Sequence, residues 1–234
     1  MSPQDKAKIA AGKAAIDEFV FDGMKIGLGS GTTSHFFVRS LGERVRDGLS
    51  ITATTTSRST TAVAEEVGIV ITDVNDIGEL DLTIDGPDEI DRDFNMIKGG
   101  GACLLWEKIV AHASRKMITI CDETKIVDVL GAFPLPVEVV RFGYRQTMRL
   151  IEKALENNGI AGADIYRRET NGDPVITDSG HYIIDCKCGQ IHDPAAVETA
   201  LNMIPGVVEN GLFTGESSGM VVGHFDGSTK IILK

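Results

Sequence analysis

Four short segments of this 234-residue chain combine residue types that could grip an anion or move a proton. Gly27-Leu28-Gly29-Ser30-Gly31-Thr32-Thr33-Ser34 stands between a strand-like run and a helix-like run. Glycines let the backbone approach an anion, helix-start amides point at it, and hydroxyls add donors. Phosphate binding is therefore favoured here over a plain tight turn with a helix cap. Asp85-Gly86-Pro87-Asp88-Glu89-Ile90-Asp91 carries four carboxylates in seven residues. It lacks the alternating ligands and distant glutamate of an EF-hand loop. A solvated acidic turn and a proton-shuttling set stand about level for this segment, although Asp85 closes an apolar strand where a doubly wound sheet keeps its ligands. Lys98-Gly99-Gly100-Gly101 gives a second amide nest with a cation beside it, followed by Ala102-Cys103-Leu104-Leu105-Trp106-Glu107-Lys108. Glu107 can look back from this helix toward the glycines. Cys103 and Ala111, four residues to either side, offer it no ion-pair partner, which favours a role. Last, Asp122-Glu123-Thr124-Lys125 follows a strand; Lys125 could reach a phosphate or sugar oxygen, though a lone loop lysine is most often surface decoration.

Two familiar nucleotide signatures are absent. The third glycine of a dinucleotide fingerprint would fall at Thr32, and Thr54-Thr55-Thr56-Ser57 stands where a ribose-binding acid would end the second strand. No Gly-Lys-Ser/Thr follows the first glycine loop, so it is not a Walker A loop. Cys186-x-Cys188 has no second Cys/His pair nearby and reads as buried thiols rather than a metal site.

The elements that must position these loops can be read from periodicity. Residues 4–20 predict a helix, with Ile9, Gly12, Ile16, Phe19 and Val20 at three- and four-residue spacing. Met24–Leu28 enters the first glycine loop, and a helix follows from about Thr33, striped by Phe37, Leu41 and Val45. Strand-like runs at Ile51–Thr54, Val70–Thr72, Leu82–Ile84 and Met117–Cys121 alternate with helical runs at Ser59–Val67 and Ala102–Ser114. Short apolar strands alternating with helices predict a Rossmann-like, doubly wound, mostly parallel α/β sheet. A composition shift at Gly131-Ala132-Phe133-Pro134-Leu135-Pro136 marks a domain boundary. Beyond it the order is strand (Leu135–Val140), helix (Thr147–Asn157), strands (Ala163–Arg168, Tyr182–Cys186), helix (Pro194–Met203) and strand (Val207–Val208). That β-α-β-β-α-β order predicts a smaller ferredoxin-like α+β domain, with a turn at Asn171-Gly172. Two tail strands, Met220–Gly223 and Lys230–Leu233, flank Asp226-Gly227. The expected division is 1–130 plus 205–234 against 131–204.

Net charge is −11, a poor basis for binding nucleic acid or an anionic membrane surface, so neither is expected as a partner. An anionic ligand must then be held by local groups against the global field. Four cysteines do not make a secreted disulfide framework, no leader-like segment follows Met1, and no apolar run spans a bilayer. Cytoplasmic residence is expected.

Taken in order, the four loops resemble the A-type ribose-5-phosphate isomerases. Gly29-Ser30-Gly31-Thr32-Thr33, Asp85-Gly86-Pro87-Asp88-Glu89, Lys98–Gly101, Glu107-Lys108 and Glu123-Thr124-Lys125 carry the resemblance. Phe133–Val139 and Ile204-Pro205-Gly206-Val207-Val208 extend it over essentially the whole chain. Three departures stand out: Pro87 replaces a small residue, Trp106 stands where arginine is frequent, and a Ser/Thr is swapped in the first loop. None removes a reactive group. The resemblance implies an aldose–ketose isomerase for a pentose phosphate, needing neither metal nor cofactor, and assembled as a homodimer or homotetramer. It implies Glu107 as base and Lys98 with the amides of Gly99, Gly100 and Gly101 as enediolate stabilisers. Asp85 and Asp88 would bind substrate hydroxyls, Asp85 assisting ring opening. Ser30, Gly31, Thr32 and Thr33 would bind phosphate, Lys125 the substrate, and Gly86 and Pro87 would line the site. A sugar-phosphate sensor and a nicotinamide dehydrogenase are the rival readings. The first is disfavoured by the presence of base and aspartates, the second by the missing fingerprint.

Overall fold

The computed structural model describes residues 1–234. In chain order the elements are α1 (Pro3–Phe19), β1 (Lys25–Leu28), α2 (Thr32–Arg46), β2 (Thr52–Thr55), α3 (Arg58–Glu66), α4 (Val74–Ile77), β3 (Leu82–Asp85), β4 (Glu89–Ile90), β5 (Met96–Ile97) and α5 (Leu104–His112). They continue with β6 (Met117–Asp122), a 3-10 turn (Glu123–Lys125), β7 (Leu135–Val139), α6 (Tyr144–Asn157), β8 (Asp164–Arg167), β9 (Glu169–Thr170), β10 (Asp173–Pro174) and β11 (Tyr182–Lys187). The remainder is α7 (Pro194–Asn202), β12 (Val207–Asn210), β13 (Leu212–Phe213), β14 (Ser217–Gly223) and β15 (Thr229–Leu233). No helix is long and apolar enough to cross a membrane.

The chain divides into two compact units, one of residues 1–87, 106–126 and 215–234, the other of 88–105 and 127–214. The sequence reading put residues 88–105, 127–130 and 205–214 with the first unit; they group with the second, where β4 and β5 join β13 in a three-stranded antiparallel sheet and β12 pairs with β7. Glu89 strengthens that grouping by accepting the amides of Gly131 (2.7 Å) and Phe133 (2.6 Å).

The first unit holds a six-stranded sheet in the order β15-β14-β6-β3-β1-β2, parallel throughout except for β15. Ile26, Leu28, Ala53, Leu82, Ile84, Ile118, Ile120 and Val221 pack its core against Ala11, Ala15 and Ile16 of α1 and Phe37, Val38 and Leu41 of α2. α1 starts with a reciprocal cap, Ser2 Oγ accepting the Asp5 amide and Asp5 accepting the Ser2 amide, with Pro3 at the first turn. Strand order reverses between β1 and β3, so the switch point of this sheet lies at their carboxyl ends, where Gly29 and Asp85 stand. The predicted strand Val70–Thr72 is not one. Ile71 makes an isolated parallel bridge to Ala53, Val70 is exposed, and Asp73 then caps α4 by accepting the Asn75 amide, which ends the extended run.

The second unit contains a four-stranded antiparallel sheet in the order β12-β7-β11-β8, the 4-1-3-2 arrangement of a ferredoxin-like unit. Its period-2 alternation sends Leu135, Val137, Val139, Ile184 and Cys186 into a core with Ile151 and Leu155 of α6 and Val197 and Leu201 of α7. Glu138, Ile183 and Asp185 fall on the opposite face and are also buried. The Asn171-Gly172 turn is present, both residues at positive φ, and joins the small β9–β10 ribbon inserted before β11. Cys186 and Cys188 are free thiols, and burial pushes Cys188 up to about 12.

Candidate active site

In the first unit the glycine loop runs from β1 into α2. Gly31, at φ 90°, is the N-cap residue, so this helix begins without a side-chain cap. Its first-turn amides and the positive end of its dipole are features that suit an anion. A cation stands there that the sequence reading missed: Lys8 of α1 donates to Thr32 Oγ1 at 3.1 Å and is itself mostly buried. Its signal was a lysine on the buried, otherwise small-residue Ala7–Ala11–Ala15 face of the helix.

Behind that loop, Ser30 turns its hydroxyl inward. Its Oγ lies 2.7 Å from Thr56 Oγ1, 2.7 Å from Ser57 Oγ and 3.1 Å from Thr60 Oγ1, while Thr60 donates to the Gly29 carbonyl at 3.0 Å. Ser57 also caps α3 by accepting the Thr60 amide. Of the Thr54–Ser57 hydroxyls that stood in place of a ribose acid, those of Thr56 and Ser57 thus build the floor of the first loop. Of the predicted phosphate-loop residues, Gly31 and Thr32 are exposed, whereas Ser30 and Thr33 are buried.

Asp85 ends β3 with no exposure at all. Its Oδ1 accepts the Ser30 amide (3.0 Å), the Ser34 hydroxyl (3.0 Å) and the Gly86 amide (2.7 Å). Gly29 is obligatory beside it, since a Cβ there would lie 2.1 Å from Asp85 Oδ1 and 2.6 Å from Asp85 Cα. His35, one turn into α2, has its pKa lowered by burial first and by Arg39 second, with Asp85 opposing. Glu107 lies in the first turn of α5 and is 5% exposed. Lys125 closes the turn after β6 and is half-buried.

The second unit holds the other predicted residues. Lys98 follows β5, is 1% exposed, donates its amide to the Gly211 carbonyl (2.8 Å) and carries its Nζ 5.6 Å from the centre of the Phe213 ring. Gly99 sits at φ 105°, and a Cβ there would meet Leu104 Cδ2 at 2.8 Å, so the loop demands glycine. The Gly100 amide donates to Asp88 Oδ2 at 2.7 Å. Sequence reasoning had all three glycine amides available to a substrate; in the structure that of Gly100 is engaged by Asp88. The helix start also differs. Ala102 is left-handed (φ 60°) and donates to the Gly99 carbonyl at 2.9 Å, which delays α5 to Leu104. Arg168, which sequence reasoning missed, donates to the carbonyls of Gly99 and Gly100.

The acidic run is now resolved residue by residue. Glu89 anchors the Gly131–Phe133 segment, and Asp91 caps its own turn by accepting the amides of Asp93 and Asn95. Asp85 and Asp88 are the two that meet the glycine loops.

A doubly wound sheet with an anion-suited helix start and a buried carboxylate at its switch point, joined in one chain to a ferredoxin-like unit, defines a Rossmann-like α/β protein with the makings of a phosphosugar site. The sequence profile described as ribose 5-phosphate isomerase A (phosphoriboisomerase A) matches residues 52–227. Ribose-5-phosphate isomerase A 2 of Yersinia pseudotuberculosis is 63% identical over 232 residues, covering 99% of this chain and 98% of the relative. The ribose-5-phosphate isomerase A of Jannaschia sp. is 48% identical, covering 99% and 88%. Among solved structures, the ribose 5-phosphate isomerase of Plasmodium falciparum superposes with a TM-score of 0.92 at 33% identity, covering 98% and 99%. A D-ribose-5-phosphate isomerase in complex with phospho-erythronic acid gives 0.89 at 36%, covering 99% of each chain. The chain belongs to the ribose 5-phosphate isomerase A family.

Proposed function

We propose that this chain interconverts D-ribose 5-phosphate and D-ribulose 5-phosphate, with Glu107 as the base. The activity follows from membership of the family and from relatives matched over nearly their full length. The observation that carries the chemistry is a carboxylate and an ammonium, Glu107 and Lys98, both almost fully buried and parted in sequence by eight residues that include the triple glycine. Charged groups are costly to bury. A base and an electrostatic stabiliser are what an aldose–ketose isomerisation demands of them.

In this reading each set of residues has its own part in the reaction. The α2 start, with Gly31, Thr32, Thr33 and the Lys8 ammonium, takes the phosphate; Ser30 shapes the loop from beneath through its buried hydroxyl. Asp85 and Asp88 orient sugar hydroxyls beside Gly86 and Pro87, Asp85 also assisting ring opening, and Lys125 holds a substrate oxygen. Glu107 then removes the C2 proton of the open aldehyde. The C–H pair becomes the C1–C2 double bond and the carbonyl π pair moves onto O1, where Lys98 and the glycine loop meet the developing charge. Returning the proton to C1, while the O2 hydroxyl proton passes to O1, completes the ketose. A hydrogen-bond donor aimed at such an oxyanion is worth about 3–4 kcal/mol.

Glu107→Gln keeps the shape and removes the base, so kcat should fall by roughly 10²–10⁴-fold with KM within a few-fold. The direct measurement is exchange of the C2 proton of ribose 5-phosphate in heavy water, with and without a chelator. Undiminished exchange in the variant would dismiss Glu107, and chelator-sensitive exchange would dismiss metal-free chemistry. Cytoplasmic residence and a homodimeric or homotetrameric state belong to the same reading. The four free thiols suit a reducing compartment, and sedimentation at equilibrium measures the assembly.

A further inference from the structure

We propose that Arg168 is a positioning residue for the reaction, orienting the peptide planes of the Lys98–Gly101 loop while Asp185 fixes its guanidinium. This rests on the reading of Lys98 and its glycine loop as stabilisers of the oxyanion. Arg168 follows β8, and its backbone is pinned on both edges: its amide donates to Ile183 (2.8 Å) and its carbonyl accepts from Val175 (3.0 Å). Asp185 on the neighbouring β11 receives Nε at 2.7 Å and Nη2 at 2.5 Å, a bidentate fork with both side chains largely buried. That leaves Nη1, which donates to the Gly99 carbonyl and to the Gly100 carbonyl, each at 2.9 Å.

Those two acceptors matter because a trans peptide is planar, and its C=O and N–H point in opposite directions. Fixing the Gly99 carbonyl fixes the Gly100 amide in the same plane, and that amide is the one that reaches Asp88 at 2.7 Å. Fixing the Gly100 carbonyl likewise turns the Gly101 amide away from Arg168. The Ala102 amide shares the Gly99 carbonyl, whereas Arg168 reaches both carbonyls and so ties together two consecutive amide directions immediately after Lys98. Glycines, with the widest backbone freedom, are the residues least able to hold those directions alone. A lysine at 168 would keep the charge opposite Asp185 but would lack the planar fork that reaches both carbonyls. Stability alone is a poor account of the pair, since a buried ion pair is often no more stabilising than apolar residues of similar volume.

The test is steady-state kinetics and thermal melting of Arg168→Lys and Asp185→Asn, each also built into Lys98→Ala. Positioning predicts that Arg168→Lys lowers kcat by about tenfold or more with KM within about threefold, because misplaced donors cost the transition state before the ground state. It also predicts that this loss largely disappears in the Lys98→Ala background, since residues acting as one unit are not additive. If Arg168→Lys fails to fold, Asp185→Asn reads the same quantities with the arginine retained. Wild-type kcat in a variant that only melts earlier would overturn the proposal, as would a full-sized loss in the Lys98→Ala background. Wild-type kcat in Lys98→Ala itself would instead sink the reading beneath it, an outcome separate from either of these.

Discussion

Asp85 and Asp88 are three positions apart in sequence, yet the structure holds them by different means. Asp85 is fully buried at the end of β3 and receives the Ser30 amide from the strand-to-helix loop, the Ser34 hydroxyl from the first turn of α2, and the amide of Gly86, next in the chain. Asp88 is only half-buried, and it takes the amide of a glycine loop that Arg168 steadies from its other edge. In the first region a carboxylate is set into a sheet; in the second, backbone is set between a carboxylate and a guanidinium. The contrast teaches that a fixed charge and a fixed amide need different scaffolds. Charge position follows from strand register, whereas amide direction must be imposed on glycine from both sides.

Alanine at Gly29 attacks that contrast most strongly. Its Cβ would meet not only Asp85 Oδ1 at 2.1 Å but Asp85 Cα at 2.6 Å, and that Cα belongs to a strand paired with β1. Nothing can swing aside. Gly29→Ala should therefore cost about 3 kcal/mol or prevent folding, read as the urea midpoint. Gly100→Ala is the milder counterpart. Its Cβ would lie 2.5 Å from Asp88 Oδ1, the end of a rotatable side chain, so the carboxylate can move at the expense of its hydrogen bond. Stability should fall by about 1 kcal/mol, while kcat falls further than that loss of fold would suggest. Equal destabilisation by the two alanines would erase the distinction between rigid and adjustable holders.

Much of this arrangement could be read from the sequence because it is local. Glycines before helices, apolar runs ending in carboxylates and the β-α-β-β-α-β order leave short-range traces, and the 4-1-3-2 sheet follows from the last of these. The features that escaped join distant residues. Arg168 meets Gly99 across 69 positions, and Ser30 meets Thr56, Ser57 and Thr60 across 26 to 30. Neither partner in such a pair looks unusual in its own neighbourhood. The grouping of residues 88–105 with the second unit has the same origin: β5 pairs with β13 more than a hundred residues later. A two-residue strand carries no periodicity to announce it. Even the late start of α5 depends on Ala102 adopting a left-handed backbone, which its residue type argues against.

The smallest effect expected is a titration on the Asp85 side. Burial holds the His35 pKa below its ordinary value, Arg39 adds to that depression, and Asp85 works against it. The sign follows from linkage: an unfolded chain takes up this proton near pH 6.5, earlier than the folded one, as pH falls. His35 therefore costs nothing above pH 6.5, and stability is lost as pH drops below that value toward the lower folded pKa. His35→Gln should leave the urea midpoint at pH 8 nearly unchanged and reduce the fall between pH 7 and pH 5. An unaltered fall would mean that His35 titrates as if exposed. The buried hydroxyl and carboxylate cluster next to it, which its Nε2 meets at Thr60 Oγ1 (3.4 Å), would then be open enough to admit the proton, and the description of the switch point as the rigid half of the comparison would fail with it.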